Sequence, residues 1–550
     1  MAYGLALHYL AEIFSVCSRQ VTACFGQVTT QANDASVRRN LMSMGDDVLD
    51  ALGSALTQVL APQSLLMMVI GVMLGFVVGI LPGLGGAVTL ALLLPFTFDM
   101  EPIPAFALLL GMYVVTATTG DITSVLFGVP GEASSAAVVL DGYPLTKRGQ
   151  AGRALGAALT SSAGGAIFGV IVLVAVIPVV RPLILSIGPP EFFGLALLGL
   201  TFVVTLSARQ LHKGLLMAAV GILISLVGLD PSTGAPRYTF GSLHLWGGVG
   251  IVPVVVGLFG GAEVLQIMLQ KRSVAKTGQR SSKLVGVTEG IRDTGRHWSL
   301  VLRASAIGSA IGVVPGVGGT VAQFIAYGHA RQTSKNPDQF GKGAIEGVIA
   351  AGATNNAKDS ASLIPTVAFG IPGSASSAVL LGAFLILGLE PGAKMLTTNL
   401  DVTLSMVWIT VFATFASVTA AFLLLKPLTR LTHISGPLLV PFLLLLLGIG
   451  AYSSSNSFAD VLVMLAFVAI GIGCLRWDWP RVPLLLGLVL GSILERYLFL
   501  SNSVFGSSWL LRPYFLGIVG AIVLVFVFHA RRTRRAKRSG QDREKEEVSA

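Results

Sequence analysis

Three ionisable side chains stand where the surrounding sequence has almost none. Asp121, Lys358 and Asp359 lie in stretches of otherwise small or apolar residues. Burying a charge in such a stretch is expensive, so an intramembrane charge marks a functional site by default. Lys358 is the candidate contact for a carboxylate, with Asp359 or Asp121 as ion ligand or counter-charge. Beside them, Asn355, Asn356 and Ser360 offer neutral oxygens and amide donors of the kind that suit Na+ or an anion. The plainer alternative is a Lys–Asp pair that only holds helices together, with the asparagines bonding neighbouring helices.

The segments around these residues are interrupted by Pro-Gly steps. Gly79-Ile-Leu-Pro-Gly-Leu-Gly-Gly86 aligns with Gly312-Val-Val-Pro-Gly-Val-Gly-Gly319, identical at five of eight positions. Phe127-Gly-Val-Pro-Gly-Glu-Ala-Ser-Ser-Ala136 aligns with Phe369-Gly-Ile-Pro-Gly-Ser-Ala-Ser-Ser-Ala378, identical at eight of ten. The order is the same in both halves, so the chain contains a duplicated unit. Proline removes a backbone donor and glycine relaxes the helix, so each step predicts a helix break. Broken backbone within a bilayer is tolerated only where protein buries it or a watery cavity receives it. Paired breaks in related halves point to a transporter site near the midplane.

The candidate site therefore includes Pro82, Gly83, Gly85 and Gly86 with Pro315, Gly316, Gly318 and Gly319, and Pro130 and Gly131 with Pro372 and Gly373. Ser134, Ser135, Ser376 and Ser377 follow the second breaks and are placed to donate to a carboxylate, or simply to cap a helix. Thr89 and Thr320 follow the Gly-Gly steps in the same way. Glu132 faces Ser374 in the alignment, so the symmetry fails at that position.

The elements that carry these breaks are membrane helices. Of 550 residues, 53% are hydrophobic and only 12% charged, against roughly 25% charged in soluble domains. Apolar runs of spanning length recur through the chain, as in Ala154–Val180 and Val402–Leu425. An all-α polytopic membrane protein of about 10–12 segments is expected, with interrupted or re-entrant helices. Soluble enzymes, secreted disulfide scaffolds and nucleic-acid binders are excluded. Three cysteines and seven scattered histidines show no metal-ligand spacing, so neither a metal centre nor a cofactor is expected.

Residues 1–43 lack the basic start and apolar core of a secretory signal. They read as an upstream extension ahead of Met44, or as a peripheral segment. Residues 44–153 form the first unit and 301–400 the second. Residues 154–300 and 401–529 supply scaffold helices, the former with a basic loop, and 530–550 form a basic tail. Placing the loop and tail in the cytoplasm inverts the two units relative to each other. The tail also suits anionic lipid.

At this point the sequence resembles a known family. Leu81-Pro-Gly-Leu-Gly-Gly86, Leu140-Asp-Gly-Tyr-Pro144, Gly149-Gln-Ala-Gly-Arg-Ala-Leu155, Phe340-Gly-Lys-Gly-Ala-Ile-Glu-Gly-Val348, Asn355-Asn356-Ala357 and Gly370-Ile-Pro-Gly373 are similar to the large membrane subunit of tripartite tricarboxylate transporters, the TctA type. The likeness runs from about Met44 to the region before the tail. It implies a multi-pass subunit of the bacterial inner membrane, a small four-helix membrane partner and a periplasmic solute-binding protein. It also implies carboxylate uptake driven by an ion gradient, usually Na+. Departures fall at the site: Ala351 and Gly352 stand where the family has Pro-Glu, Lys358 and Asp359 replace small residues, and Thr118-Thr-Gly-Asp121 replaces Tyr-Gly-Gly-Ser.

The expected function is thus secondary transport of a small organic carboxylate other than citrate, by alternating access, with no enzymatic activity. An anion channel is the alternative. An intramembrane aspartyl enzyme built on Asp121 and Asp359 is a remoter one, because the Gly-x-Gly-Asp pattern is missing.

Overall fold

Helices that carry buried polar and charged groups in a membrane have to be surrounded by other helices, because lipid cannot answer those groups, and two such helices organise this chain. In the computed structural model, residue 48 and residues 50–79, 85–186, 188–207, 211–230, 233–270, 286–315, 319–431 and 436–527 are described. Readings made for residues 1–43, for the basic loop between 271 and 285, for the 530–550 tail, and for Pro82, Gly83, Gly316 and Gly318 lie outside them. So does the side chain of Thr320.

The first half runs α1 (Pro62–Gly79), α2 (Gly86–Leu93), α3 (Pro102–Phe127), α4 (Ala136–Lys147) and α5 (Ala151–Ser186). Next come α6 (Pro189–Ser207), α7 (Leu211–Ser225), a two-stranded antiparallel hairpin of β1 (Gly228–Leu229) and β2 (Pro236–Arg237), α8 (Ile251–Val255), a π-helical turn (Val256–Gly261) and α9 (Ala262–Gln270). After the short α10 (Val287–Arg296) the opening order recurs as α11 (Trp298–Gly312), α12 (Gly319–Thr333), α13 (Ile345–Phe369), α14 (Ala375–Ile386) and α15 (Leu400–Leu431). The described chain closes with α16 (Gly436–Ser453), α17 (Phe458–Arg476), α18 (Arg481–Phe505) and α19 (Pro513–Val527). This is an all-α polytopic membrane protein. Among the described residues, six helices are long and apolar enough to cross a membrane, and seven shorter ones are apolar.

Helices α3 and α13 form the centre. Every residue from Ile103 to Leu126 and from Gly347 to Ala368 is buried. Both stop in the same way, at a glycine in the left-handed region, Gly128 (φ 68°) and Gly370 (φ 67°). This conformation is one glycine adopts without a Cβ penalty.

Small residues let the backbones meet, as membrane helices require when lipid supplies no hydrophobic contrast. A Cβ on Gly75 would lie 2.9 Å from the Met112 carbonyl oxygen, joining α1 to α3, and one on Gly308 would lie 2.8 Å from that of Thr354, joining α11 to α13. Helix α5 rests on α13 through Gly165 and Gly169, where the nearest neighbours are the Ala353 and Ala357 carbonyl oxygens.

Two segments singled out in the sequence meet at one helix end. Helix α13 starts at Ala344 without a side-chain cap of its own. The fully buried Asp141 of α4 takes that role, accepting from the Gly343 and Ala344 amides at 2.7 and 2.9 Å and from the Tyr327 hydroxyl at 2.8 Å. A carboxylate at a helix start is favoured by the free N–H groups there. Similarly, Arg153 at the start of α5 binds Asp293 of α10 at 2.6 Å.

Helices α6 and α7 pack on α18, while α16 and α17 pack around the π turn and α9. Arg481 holds Glu263 at 2.6 Å and the Leu258 carbonyl of the π turn at 3.2 Å, and Glu495 binds Arg237 of the hairpin at 2.6 Å. In the loop after α14, hydrogen bonds from Lys394 and Arg496 hold the Glu390 carboxyl below its ordinary range.

Gly165→Ala should lower stability by about 1–3 kcal/mol, because the added methyl has only rigid backbone to push against. Gly448→Ala, with open space around it, is the control. Thermal unfolding in detergent distinguishes them, and equal melting temperatures would refute the close packing of α5 on α13.

Candidate functional site

The four breaks meet in crossed pairs. The first break of the first half opens α2 at Gly86, where a Cβ would lie 2.8 Å from the Tyr113 ring and 2.9 Å from Ser376 Oγ. Ser376 belongs to the second break of the second half. Reciprocally, Gly319 opens α12, and a Cβ there would lie 2.6 Å from Lys358 Nζ and 2.8 Å from Ser134 Cβ. Each half therefore completes the other.

Between the breaks lies the polar centre. Asp359 Oδ1 accepts from Lys358 Nζ at 2.6 Å and from the Tyr113 hydroxyl of α3. Its other oxygen, Oδ2, and both amide atoms of Asn356 have no hydrogen-bond partner among the described residues. They border a small cavity of about 10 Å³ shared with Ser360, Thr410 and Thr414, room for roughly one water molecule. A second group sits nearer the end of α3, where Asn355 Nδ2 donates to Asp121 Oδ1 and to the Ala117 carbonyl, each at 3.4 Å. Asp121 Oδ2 and Asn355 Oδ1 are buried without partners among the described residues.

The structure brings most of the predicted residues to this region but divides their roles. Asp121 pairs with Asn355 and Asp359 with Lys358 and Tyr113, so the two carboxyl groups share no hydrogen bond. A proton-sharing aspartyl dyad needs that contact. Thr89 turns inward on its own helix, donating to the Gly86 carbonyl at 2.9 Å, and Ser360 donates to the Asn356 carbonyl at 3.1 Å. Ser135 meets Ser124 at 3.0 Å, and Ser377 meets Ser362 at 3.1 Å, so these serines tie the breaks to α3 and α13. Gly131, after Pro130, faces Thr123 Oγ1, while Gly373, after Pro372, faces Ser362. Both glycines allow close packing of the turn. Gly85 lies beside Glu132, and Pro315 ends the described part of the α11–α12 break.

Capping falls to different residues from those expected. Ser374, not Ser376 or Ser377, caps α14, accepting from the Ser377 amide at 3.1 Å. Its counterpart Glu132 caps the 3-10 turn Ala133–Ser135. Its longer side chain also reaches the Gly86 amide at 3.4 Å and accepts from Ser134 Oγ.

Tyr113, Gln323, Thr410 and Thr414 are additional polar residues of the region. Tyr113 had a usable signal: it precedes its Gly-Val-Pro-Gly break by the same number of residues as Asn355 precedes Gly-Ile-Pro-Gly.

Comparisons with known proteins give the family. The family described as the tripartite tricarboxylate transporter TctA family matches residues 65–486. The chain belongs to that family. A TctA protein is the large subunit of a tripartite transporter, so this one is a multi-pass membrane transport protein that works with partner subunits. One relative, an uncharacterized 52.8 kDa protein in the TAR-I ttuC' 3' region of Agrobacterium vitis, is 34% identical over 456 residues, covering 82% of this chain and 89% of its own length. A second, in the TAR-II ttuC' 3' region of the same organism, is 35% identical over 195 residues, 35% of this chain and 79% of its own. No solved structure matches the chain.

The Lys358–Asp359 pair makes a sharp energetic prediction. Lys358→Ala strands a buried carboxylate and should cost about 3–5 kcal/mol, as should Asp359→Ala, whereas the double variant should lose far less than their sum. A thermal-stability double-mutant cycle measures this, and strict additivity would show that the two charges are not coupled.

Proposed function

We propose that this chain is the permease subunit of a Na+-driven secondary transporter that takes up a small organic carboxylate across the bacterial inner membrane. The observation that carries the reading is the crossed pairing of four helix breaks around buried, partly unpartnered polar groups. Half-helix starts favour anionic groups, while free oxygens and unwound carbonyls suit Na+. Lys358 is the cation placed among these groups by the described residues, against Gly319 at the start of α12, and supplies the attraction for a carboxylate. Asp121 Oδ2 and Asn355 Oδ1 are the oxygens proposed for the coupling ion.

In this scheme a periplasmic binding protein delivers the anion, and a small four-helix subunit completes the membrane part. Na+ bound at Asp121 and Asn355 offsets the carboxylate charge and favours the loaded state. The units carrying the breaks then move against a scaffold of the remaining helices, exposing the centre to the cytoplasm, where the C-terminal tail lies. Saturable, gradient-dependent flux separates this scheme from a channel.

With all three subunits reconstituted in liposomes, uptake should stop when the Na+ gradient is collapsed at constant voltage. Undiminished uptake would remove Na+ from the scheme. Asn355→Ala should raise the Na+ concentration for half-maximal uptake by roughly tenfold, as expected for the loss of one ligand to a charged group. An unchanged Na+ dependence would place the ion elsewhere.

A further inference from the structure

The ion placed at Asp121 uses only one of two similarly held carboxylates. Tyr113 and Asn355 occupy equivalent positions on α3 and α13, and each donates to a carboxylate of the opposite helix, Tyr113 to Asp359 and Asn355 to Asp121. In both carboxylates the second oxygen, Oδ2, is buried without a hydrogen-bond partner among the described residues. Asp359 and Asn356, whose amide atoms are equally unpartnered, line a cavity of about 10 Å³ with Ser360, Thr410 and Thr414. These residues come from α13 and α15, and all are buried.

What their side chains still offer is almost entirely acceptor. A serine or threonine hydroxyl has one hydrogen to give, and a carboxylate has none. Ser360 has given its hydrogen to the Asn356 carbonyl at 3.1 Å, Thr410 to that of Met406 at 2.8 Å and Thr414 to that of Thr410 at 2.7 Å. The oxygens left are those three hydroxyls, Asp359 Oδ2 and Asn356 Oδ1, against a single donor, Asn356 Nδ2. A water molecule has hydrogens for only two of these acceptors, whereas a cation can be ligated by all of them. Hard cations take such oxygen ligands, and one carboxylate among neutral oxygens matches a monovalent charge better than a divalent one.

The balance of charge points the same way. Asp121, Glu132 and Asp359 all act on Lys358, three carboxylates to one ammonium among the described residues. An ion at Asp121 still leaves negative charge in excess, and an arriving carboxylate adds to it. We propose that the cavity beside Asp359 is a second Na+ site, ligated by Asp359 Oδ2, Asn356 Oδ1 and the hydroxyl oxygens of Ser360, Thr410 and Thr414, so that two Na+ bind per chain. This inference rests on the reading of the protein as a Na+-driven transporter and sets its stoichiometry. Lys358 holds the other oxygen of Asp359. An ion that draws on the same carboxylate weakens this hold and leaves the ammonium freer to meet the substrate, which couples ion binding to solute binding.

The test is equilibrium binding of radioactive Na+ to the full chain in lipid nanodiscs, with choline keeping the ionic strength constant. Wild type should bind two Na+ per chain. Thr410→Val combined with Thr414→Val keeps size and charge, removes two ligand oxygens, and should weaken one of the two ions by about tenfold or more. Thr410→Ser combined with Thr414→Ser keeps the oxygens and should bind as wild type does. Asn355→Ala should weaken the other ion and leave this one unmoved. A single ion in wild type, weakened by Asn355→Ala and indifferent to the valine pair, would show that the cavity holds water and overturn the inference alone. Two ions that both ignore the valine pair would do the same. No Na+ bound by wild type, together with uptake that survives collapse of the Na+ gradient, would overturn the Na+ reading as well.

Discussion

Polar backbone and charged side chains buried in a membrane protein must be answered by other groups of the same protein, because hydrocarbon offers none. In this chain that requirement falls on four helix breaks and the ionisable residues between them. The answer is reciprocal: the break opening α2 is closed over by the second half, and the break opening α12 by the first. Each opening also takes a group from its own half, Glu132 at Gly86 and Lys358 at Gly319. The close approach of α1 to α3, of α11 to α13 and of α5 to α13 follows from this, since only backbones in contact bring the breaks together.

The same constraint explains why departures from symmetry are concentrated at the centre. Duplication alone would give equivalent half-helix starts. A glutamate in place of a serine supplies negative charge to one, and a lysine on the central helix places positive charge against the other. Asp359 and Tyr113 then hold the lysine in position.

Much of this was legible in the sequence, and the reasons are local. Each Pro-Gly step breaks a helix wherever it occurs, because proline lacks a donor. The match of Phe127–Ala136 to Phe369–Ala378 reveals the duplication without any knowledge of packing. The buried charges stand out because their neighbours are apolar. Tyr113 escaped notice because a tyrosine in an apolar run reads as core, and Gln323 because a lone amide on a moderately polar helix suggests a solvated face. Asp141 drew attention only as part of a motif, while its partners Gly343 and Ala344 lie some two hundred residues further on.

The sequence by itself determined that the protein is helical and membrane-embedded, that it is duplicated, where its helices break and which charges are out of place. All of these depend on composition, on spacing along one helix or on identity between two segments. Only the tertiary structure decided that Asp121 joins Asn355 and not Asp359, that Glu132 rather than a serine reaches Gly86, and that Lys358 lies against Gly319. Those pairings depend on how far each helix is rotated and shifted against its neighbours. That rotation is set jointly by many small-residue contacts along the helices, and no single motif encodes it.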